Sequence, residues 1–182
     1  MKNQEKIRFI VYVAIYAALT LALDYVKEML PFLNLPNGGS INIALIPVMI
    51  ASFHLGVSGG CAVGLLWWAI SSLMGFNPYF LNLAQYLLDY VIPSFIVGAS
   101  SFLCFGGKKT IVKGEIGLFV VNVLRTLSIV LSGVYYWADG VAAGSAAAWT
   151  ASLSYNVPYC VATYALLAVL LPVLFGRLIK NK

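Results

Sequence analysis

Asn82, Gln85, Tyr86 and Asp89 stand three or four residues apart in NLAQYLLDY. On a helix they fall within one side, opposite leucine and valine. A carboxylate beside two amides and a phenol is equipped to neutralise a cation and to hold polar hydrogens. It is also a candidate proton relay. A second polar face carries Asn122, Arg125, Ser132, Gly133 and Tyr136, and a third carries Trp149, Ser152, Asn156 and Tyr159. All three lie in stretches that are otherwise apolar. A charge at mid-bilayer costs at least about 2.5–3.5 kcal/mol, so Asp89 and Arg125 must each face a partner or a wet cavity.

Depth relates the three faces. Asp89 lies about ten residues, or about 15 Å, from the outer end of its segment; Arg125 lies about eleven and Asn156 about nine residues from theirs. The acid, the base and the amide therefore share one level. Two arrangements satisfy this. Asp89 and Arg125 form a structural ion pair that braces a bundle, or they form the floor of a cavity open to the outside. Tyr79, Tyr86, Tyr90, Tyr135, Tyr136, Trp137, Trp149 and Tyr155 map to the outer half. Some of these are belt residues of the membrane interface. Aromatic walls above a carboxylate and an amide suit a flat, hydrogen-bonding, cationic heterocycle.

The elements that must carry these faces follow from composition. Of 182 residues, 62% are hydrophobic and 9% charged, against roughly 25% charged in soluble domains. The apolar residues come in blocks rather than in period-two alternation, which predicts helices and not a barrel. At about 20 residues per crossing, the chain predicts a single all-α membrane domain over residues 1–182, a bundle of about six transmembrane helices. The predicted spans are residues 7–29, 41–53, 57–74, 79–105, 114–136 and 147–175. The first is read as a retained helix rather than a cleaved signal, since no small-residue cleavage site follows it. Gly56, Gly60 and Gly64 recur every four residues and predict a close helix contact, as do Ala14 and Ala18.

The net charge of +5 resides in clusters: Lys2, Lys6 and Arg8; Lys108, Lys109 and Lys113; Arg177, Lys180 and Lys182. Clusters that flank apolar blocks are topology signals, and they predict both termini on the cytoplasmic side of a cell membrane. They argue against a nucleic-acid partner. The loops at 31–40 and 75–78 and the stretch after Trp137 then face outward. Cys61, Cys104 and Cys160 show no metal-ligand spacing and read as buried thiols. The single histidine, His54, falls at a predicted inner boundary. No HExxH, GxSxG or phosphate-binding loop is present, so no catalytic centre, metal or cofactor is expected. Uphill transport would need an ion gradient or an ATP-hydrolysing partner.

Several stretches in order carry a family resemblance: Ala14 and Ala18 in AIYAA, LPNGGSINIALIP (35–47), FHLG, QYLLDYVIP (85–93), LRTLSIVLSGVYYW (124–137) and SLSYN (152–156). Together they span nearly the whole chain. The chain resembles the thiamine-specific substrate-binding (S) subunits of energy-coupling factor (ECF) vitamin transporters. The resemblance implies a six-helix bacterial plasma-membrane protein that is not an enzyme. It implies capture of thiamine from outside, with no cofactor, and docking on a transmembrane coupling subunit driven by two cytoplasmic ATPases. Ala14 and Ala18 are the implied docking face. The implied ligand set is Asp89, where the family has a glutamate, with Tyr90, Trp137 as the stacking ring, Gly133 and Asn156. Arg125, Tyr86 and Ser152 join them from the polar faces described above.

The sequence departs from the family at Ile129, where a histidine is usual, and at Ala151, where a tyrosine is usual. Its first outer loop offers Asn37, Gly38 and Gly39 where some members have a tryptophan. A thiamine precursor or another flat heterocycle is therefore the alternative ligand. A ligand-free structural membrane protein and an autonomous ion-coupled carrier are the alternatives from other classes.

Overall fold

The computed structural model describes residues 2–36, 39–77, 79–104 and 110–179. Helices are α1 (Lys2–Glu28), α2 (Leu45–Leu55), α3 (Val57–Leu73), α4 (Leu83–Tyr86), α5 (Ile92–Val97), α6 (Ile111–Tyr136) and α7 (Ala146–Ile179). A π-helical turn, Leu87–Val91, joins α4 to α5. Among the described residues the extended structure is one isolated bridge, Asn34 to Ser40.

Local chemistry explains the boundaries. α1 stops just before Leu30 and Pro31, since a residue preceding proline is pushed out of the helical region. Asn42 turns the chain into α2: its Oδ1 accepts the Ala44 N–H at 3.1 Å, and its own N–H donates to Thr163 Oγ1 at 3.0 Å on α7. α2 and α3 meet at Gly56, whose φ of 94° suits glycine. Asn82 caps α4 by accepting the Gln85 N–H at 2.9 Å, and Thr110 caps α6 by accepting the Lys113 N–H at 3.3 Å.

Packing follows from small residues. A side chain at Gly60 or Gly64 would strike the carbonyls of Gly98 or Ser94, so α3 and α5 lie backbone to backbone. The third glycine of that repeat, Gly56, makes the α2–α3 turn instead. Leu45, Val48, Met49, Val63, Leu118 and Leu167 form the centre of the buried core. Ile10, Leu73, Phe119 and Val169 point outward, as they would toward lipid.

The expectation of six spans needs refinement. Asn3–Glu28, Leu83–Cys104, Ile111–Tyr136 and Ala146–Leu174 are long and apolar enough to cross a membrane, among the described residues. Leu45–Leu55 and Val57–Leu73 are apolar but shorter. At 1.5 Å per residue the first is about 16 Å and the second about 26 Å long, against a hydrocarbon core of about 30 Å. The fourth predicted span also begins late: residues 79–82 are not helical, and Asn82 is a cap. Lys108, Lys109, Lys180 and Lys182 of the charge clusters, with Asn37, Gly38 and Phe105, lie outside the described residues.

Candidate ligand-binding site

The C-terminal ends of α1, α3 and α6 meet the N-terminal ends of α2 and α7 and the π turn at one end of the bundle. They enclose a cavity of about 740 Å³. That volume is in the range of small-molecule sites. His54 lies at the other end of α2, hydrogen-bonded to Tyr16 on α1 at 2.9 Å.

Asp89 enters the cavity from the π turn. Its Oδ2 accepts two hydrogen bonds, from Gln85 Nε2 at 2.6 Å and from Trp137 Nε1 at 2.9 Å. Gln85 is fully buried, and its Oε1 accepts the Leu81 N–H at 3.0 Å. The loop before α4 is thereby tied to the carboxylate. Trp137, which caps the C-terminal end of α6, packs edge-on against Tyr79 with ring centroids 5.9 Å apart. Tyr90 lines the cavity beside Asp89.

Arg125 lines the same cavity and is 5% exposed. It does not pair with Asp89. Among the described residues the ion pairs are those of Lys27 with Asp24 and Glu28. Arg125 Nη1 instead donates to the Cys160 thiol at 3.4 Å, a weak acceptor for a guanidinium with five N–H groups. Of the two arrangements open to Asp89 and Arg125, the ion-paired brace is thus not formed. The two charges face one space without cancelling.

Asn156 is held by its neighbours. Its Nδ2 donates to the Ser152 carbonyl at 3.0 Å and to Ser152 Oγ at 3.1 Å, and its Oδ1 accepts the Tyr159 hydroxyl at 2.6 Å. The amide nitrogen is thus engaged by Ser152, and Oδ1, which can accept two hydrogen bonds, accepts one among the described residues. Ser152 Oγ donates to the Val130 carbonyl at 2.8 Å on α6. A side chain at Gly133 would strike that Ser152 hydroxyl, so glycine lets α6 and α7 close around the amide.

Most of the sequence-predicted site comes together. Asp89, Tyr90, Arg125, Gly133, Trp137, Ser152 and Asn156 all line the cavity. Tyr86 does not. Its hydroxyl donates to Ser72 Oγ at 2.7 Å, and its ring packs on Trp68, Phe80 and Tyr90. Ala14 and Ala18 are both exposed, one turn apart on α1. Ile129 and Ala151, where the sequence departs from the family, both line the cavity.

Sequence reasoning missed a second polar group at the cavity wall. Asp24, 4% exposed, accepts Lys27 Nζ at 2.9 Å, Trp67 Nε1 at 2.8 Å and Ser71 Oγ at 3.2 Å. The signal was present: an acid and a base three residues apart inside the first apolar span obey the same rule that singled out Asp89.

This geometry agrees with what the chain is similar to. A family model described as "Thiamine transporter protein (Thia_YuaJ)" matches residues 10–181. The thiamine transporter ThiT of Bacillus subtilis (strain 168) is 31% identical over 193 aligned residues, covering 100% of this chain and 98% of the relative. A solved structure of ThiT from Listeria monocytogenes superposes with a TM-score of 0.74 at 22% identity, covering 95% of this chain and 96% of that one, which shows a shared fold. The chain belongs to the thiamine transporter protein family.

Proposed function

We propose that the cavity binds thiamine and that the chain is the substrate-binding subunit of an ECF-type transporter, a transport protein and not an enzyme. The observation that carries this reading is the state of Asp89. Its Oδ2 accepts from Gln85 and Trp137, and the residue lines a cavity that Arg125 also lines, with no ion pair between the two among the described residues. A structural brace would have closed the Asp89–Arg125 pair.

The charges orient the ligand. A cationic ring is drawn to Asp89 and repelled by Arg125, so the oxygen-bearing tail of thiamine points toward Arg125. Trp137 offers a flat face for stacking and for cation–π attraction. The remaining lone pair of Asn156 Oδ1 accepts an exocyclic amine. Gly133 and Ser152 hold that amide in place.

We further propose that the four long and two shorter helices make six crossings, the short ones tilted or meeting a locally thinned bilayer, in a bacterial plasma membrane. Both termini are then cytoplasmic and the cavity faces outward. Exposed Ala14 and Ala18 dock on a transmembrane coupling subunit, which two cytoplasmic ATPases drive. A second ligand, a thiamine precursor or another flat heterocycle, is favoured by one observation: Ala151 and Ile129 line the cavity where the family resemblance implies a tyrosine and a histidine, so that ring contact and polar contact are both missing there.

The test is a titration of the purified protein with thiamine, followed by tryptophan fluorescence. Stacking on Trp137 quenches emission, and saturable quenching disappears in Trp137→Ala with the helical signal intact. Saturation by a precursor but not by thiamine would keep the transporter role and change the ligand. No binding by any of these heterocycles would end the receptor reading.

A further inference from the structure

The π turn that carries Asp89 has a chemical cause and a keeper. Pro93 has no N–H. The Ile92 N–H, which in an α-helix would reach the carbonyl of Leu88, reaches that of Leu87 instead. The next donor in the same π register would belong to residue 93, and it does not exist. The Leu88 carbonyl is thereby left without a main-chain donor inside the protein, where an unmet acceptor is costly. Ser128 of α6 fills the gap: it is 6% exposed, and its Oγ donates to the Leu88 carbonyl at 2.7 Å.

The turn matters because of what it aims. In an α-helix, adjacent side chains diverge by about 100°. The wider π turn advances less per residue, and here Asp89 and its neighbour Tyr90 both line the cavity. Ser128 does not line it, although Arg125 and Ile129 on the same helix do. We infer that Ser128 is a positioning residue: by holding the orphaned Leu88 carbonyl, it fixes the π turn that presents Asp89 and Tyr90 together to the ligand. This inference rests on the reading of the cavity as a ligand site, and the test separates the two.

The experiment is a double-mutant cycle on the full chain in detergent, with thiamine as the probe. Ser128→Ala should weaken binding roughly fivefold to tenfold, and Ser128→Thr, which keeps the hydroxyl, should restore it to within about twofold. Pro93→Ala supplies the missing N–H to the Leu88 carbonyl. In that background Ser128→Ala should cost less than about twofold, whatever Pro93→Ala does by itself. If Ser128→Ala alone does not fold, Pro93→Ala/Ser128→Ala should fold. A readout free of ligand is the indole ¹⁵N–¹H resonance of Trp137, which reports its bond to Asp89 and is assigned by its loss in Trp137→Phe. Ser128→Ala should shift it, and Ser128→Thr should not. Equal cost of Ser128→Ala in both backgrounds, or an unmoved Trp137 resonance, would overturn the inference. If wild-type protein does not bind thiamine, the proposed ligand fails and the resonance alone decides the role of Ser128.

Discussion

Asp89→Asn is the sharpest perturbation of the proposed site, because it removes a charge and little else. Asparagine keeps the shape and keeps an acceptor for Gln85 or Trp137, the two donors now 2.6 and 2.9 Å from Oδ2. A cationic ring about 4 Å from the carboxylate, at an effective dielectric constant of about 20, gains about 4 kcal/mol. Water in a cavity of about 740 Å³ screens part of this, so about 2–4 kcal/mol should be lost. Binding of thiamine should therefore weaken roughly 30- to 1,000-fold. Arg125 makes the loss steeper, since without Asp89 it is the nearer charge and it repels the ring. A neutral aminopyrimidine lacking the charged ring tests the origin of the effect. It lacks the charge that Asp89 attracts, keeps its hydrogen bond to Asn156, and should weaken by less than about fivefold. Calorimetry on both ligands gives the two ratios. A thiamine affinity within about threefold of wild type, or the same loss for the charged and neutral ligands, would refute the electrostatic argument.

Further outcomes follow from the same geometry. Ala14→Trp and Ala18→Trp on the exposed side of α1 should abolish uptake into cells that carry a coupling subunit while leaving the thiamine affinity of the purified protein unchanged; a parallel fall in affinity would mean that α1 acts on the cavity instead. Ile129→His with Ala151→Tyr adds a ring where Ala151 is small and a hydrogen-bonding ring where Ile129 is apolar, and should tighten thiamine binding by about tenfold if thiamine is the native ligand; weaker binding would indicate another heterocycle that uses that space. Asp24→Ala leaves Trp67 Nε1 and Ser71 without their acceptor and should destabilise the bundle by about 3–5 kcal/mol, read as a lowered midpoint of thermal unfolding in detergent; an unchanged midpoint would show that Asp24 does not join α1 to α3.

The polar faces of α6 and α7 were legible in the sequence because both are regular where they meet the cavity. Arg125, Gly133, Ser152 and Asn156 follow from the 3.6-residue period, although Asn122, Ser132, Tyr136 and Trp149 of the same predicted faces do not line the cavity. The face of the fourth span was legible only in part, and the π turn is the reason. Counted as an α-helix, Tyr86 and Asp89 lie close in angle. The slower advance of a π turn separates them, and Tyr86 turns to Ser72 on α3. Pro93 was the available signal, since a proline four residues after Asp89 removes the donor that an α-helix needs there. The loop before α4 had no period to read. Its order comes from Gln85, whose side-chain contacts reach back to Leu81 and forward to Asp89. Asp24 was passed over because Lys27 and Glu28 beside it look like the charged end of a span, where long side chains reach water.

The separation of Asp89 from Arg125 has an energetic consequence for the reading of function. Keeping the two charges apart gives up the attraction they would have for each other and leaves their remaining hydrogen bonds to water in the cavity. A chain whose task is only to span and brace would recover that energy by bringing the two together, since both face one cavity. Here each is held back by named neighbours: Gln85 and Trp137 hold the acid, and Cys160 faces the base. Both charges are therefore left open to a partner that enters the cavity. A molecule that offers a cation or an amine to Asp89 and an oxygen to Arg125 completes both sets of contacts at once. Its binding then supplies to each charge the opposite partner that the fold keeps away from it. Ligand recognition and the separated charges are thus one design, and a molecule that serves both must reach from Asp89 to Arg125.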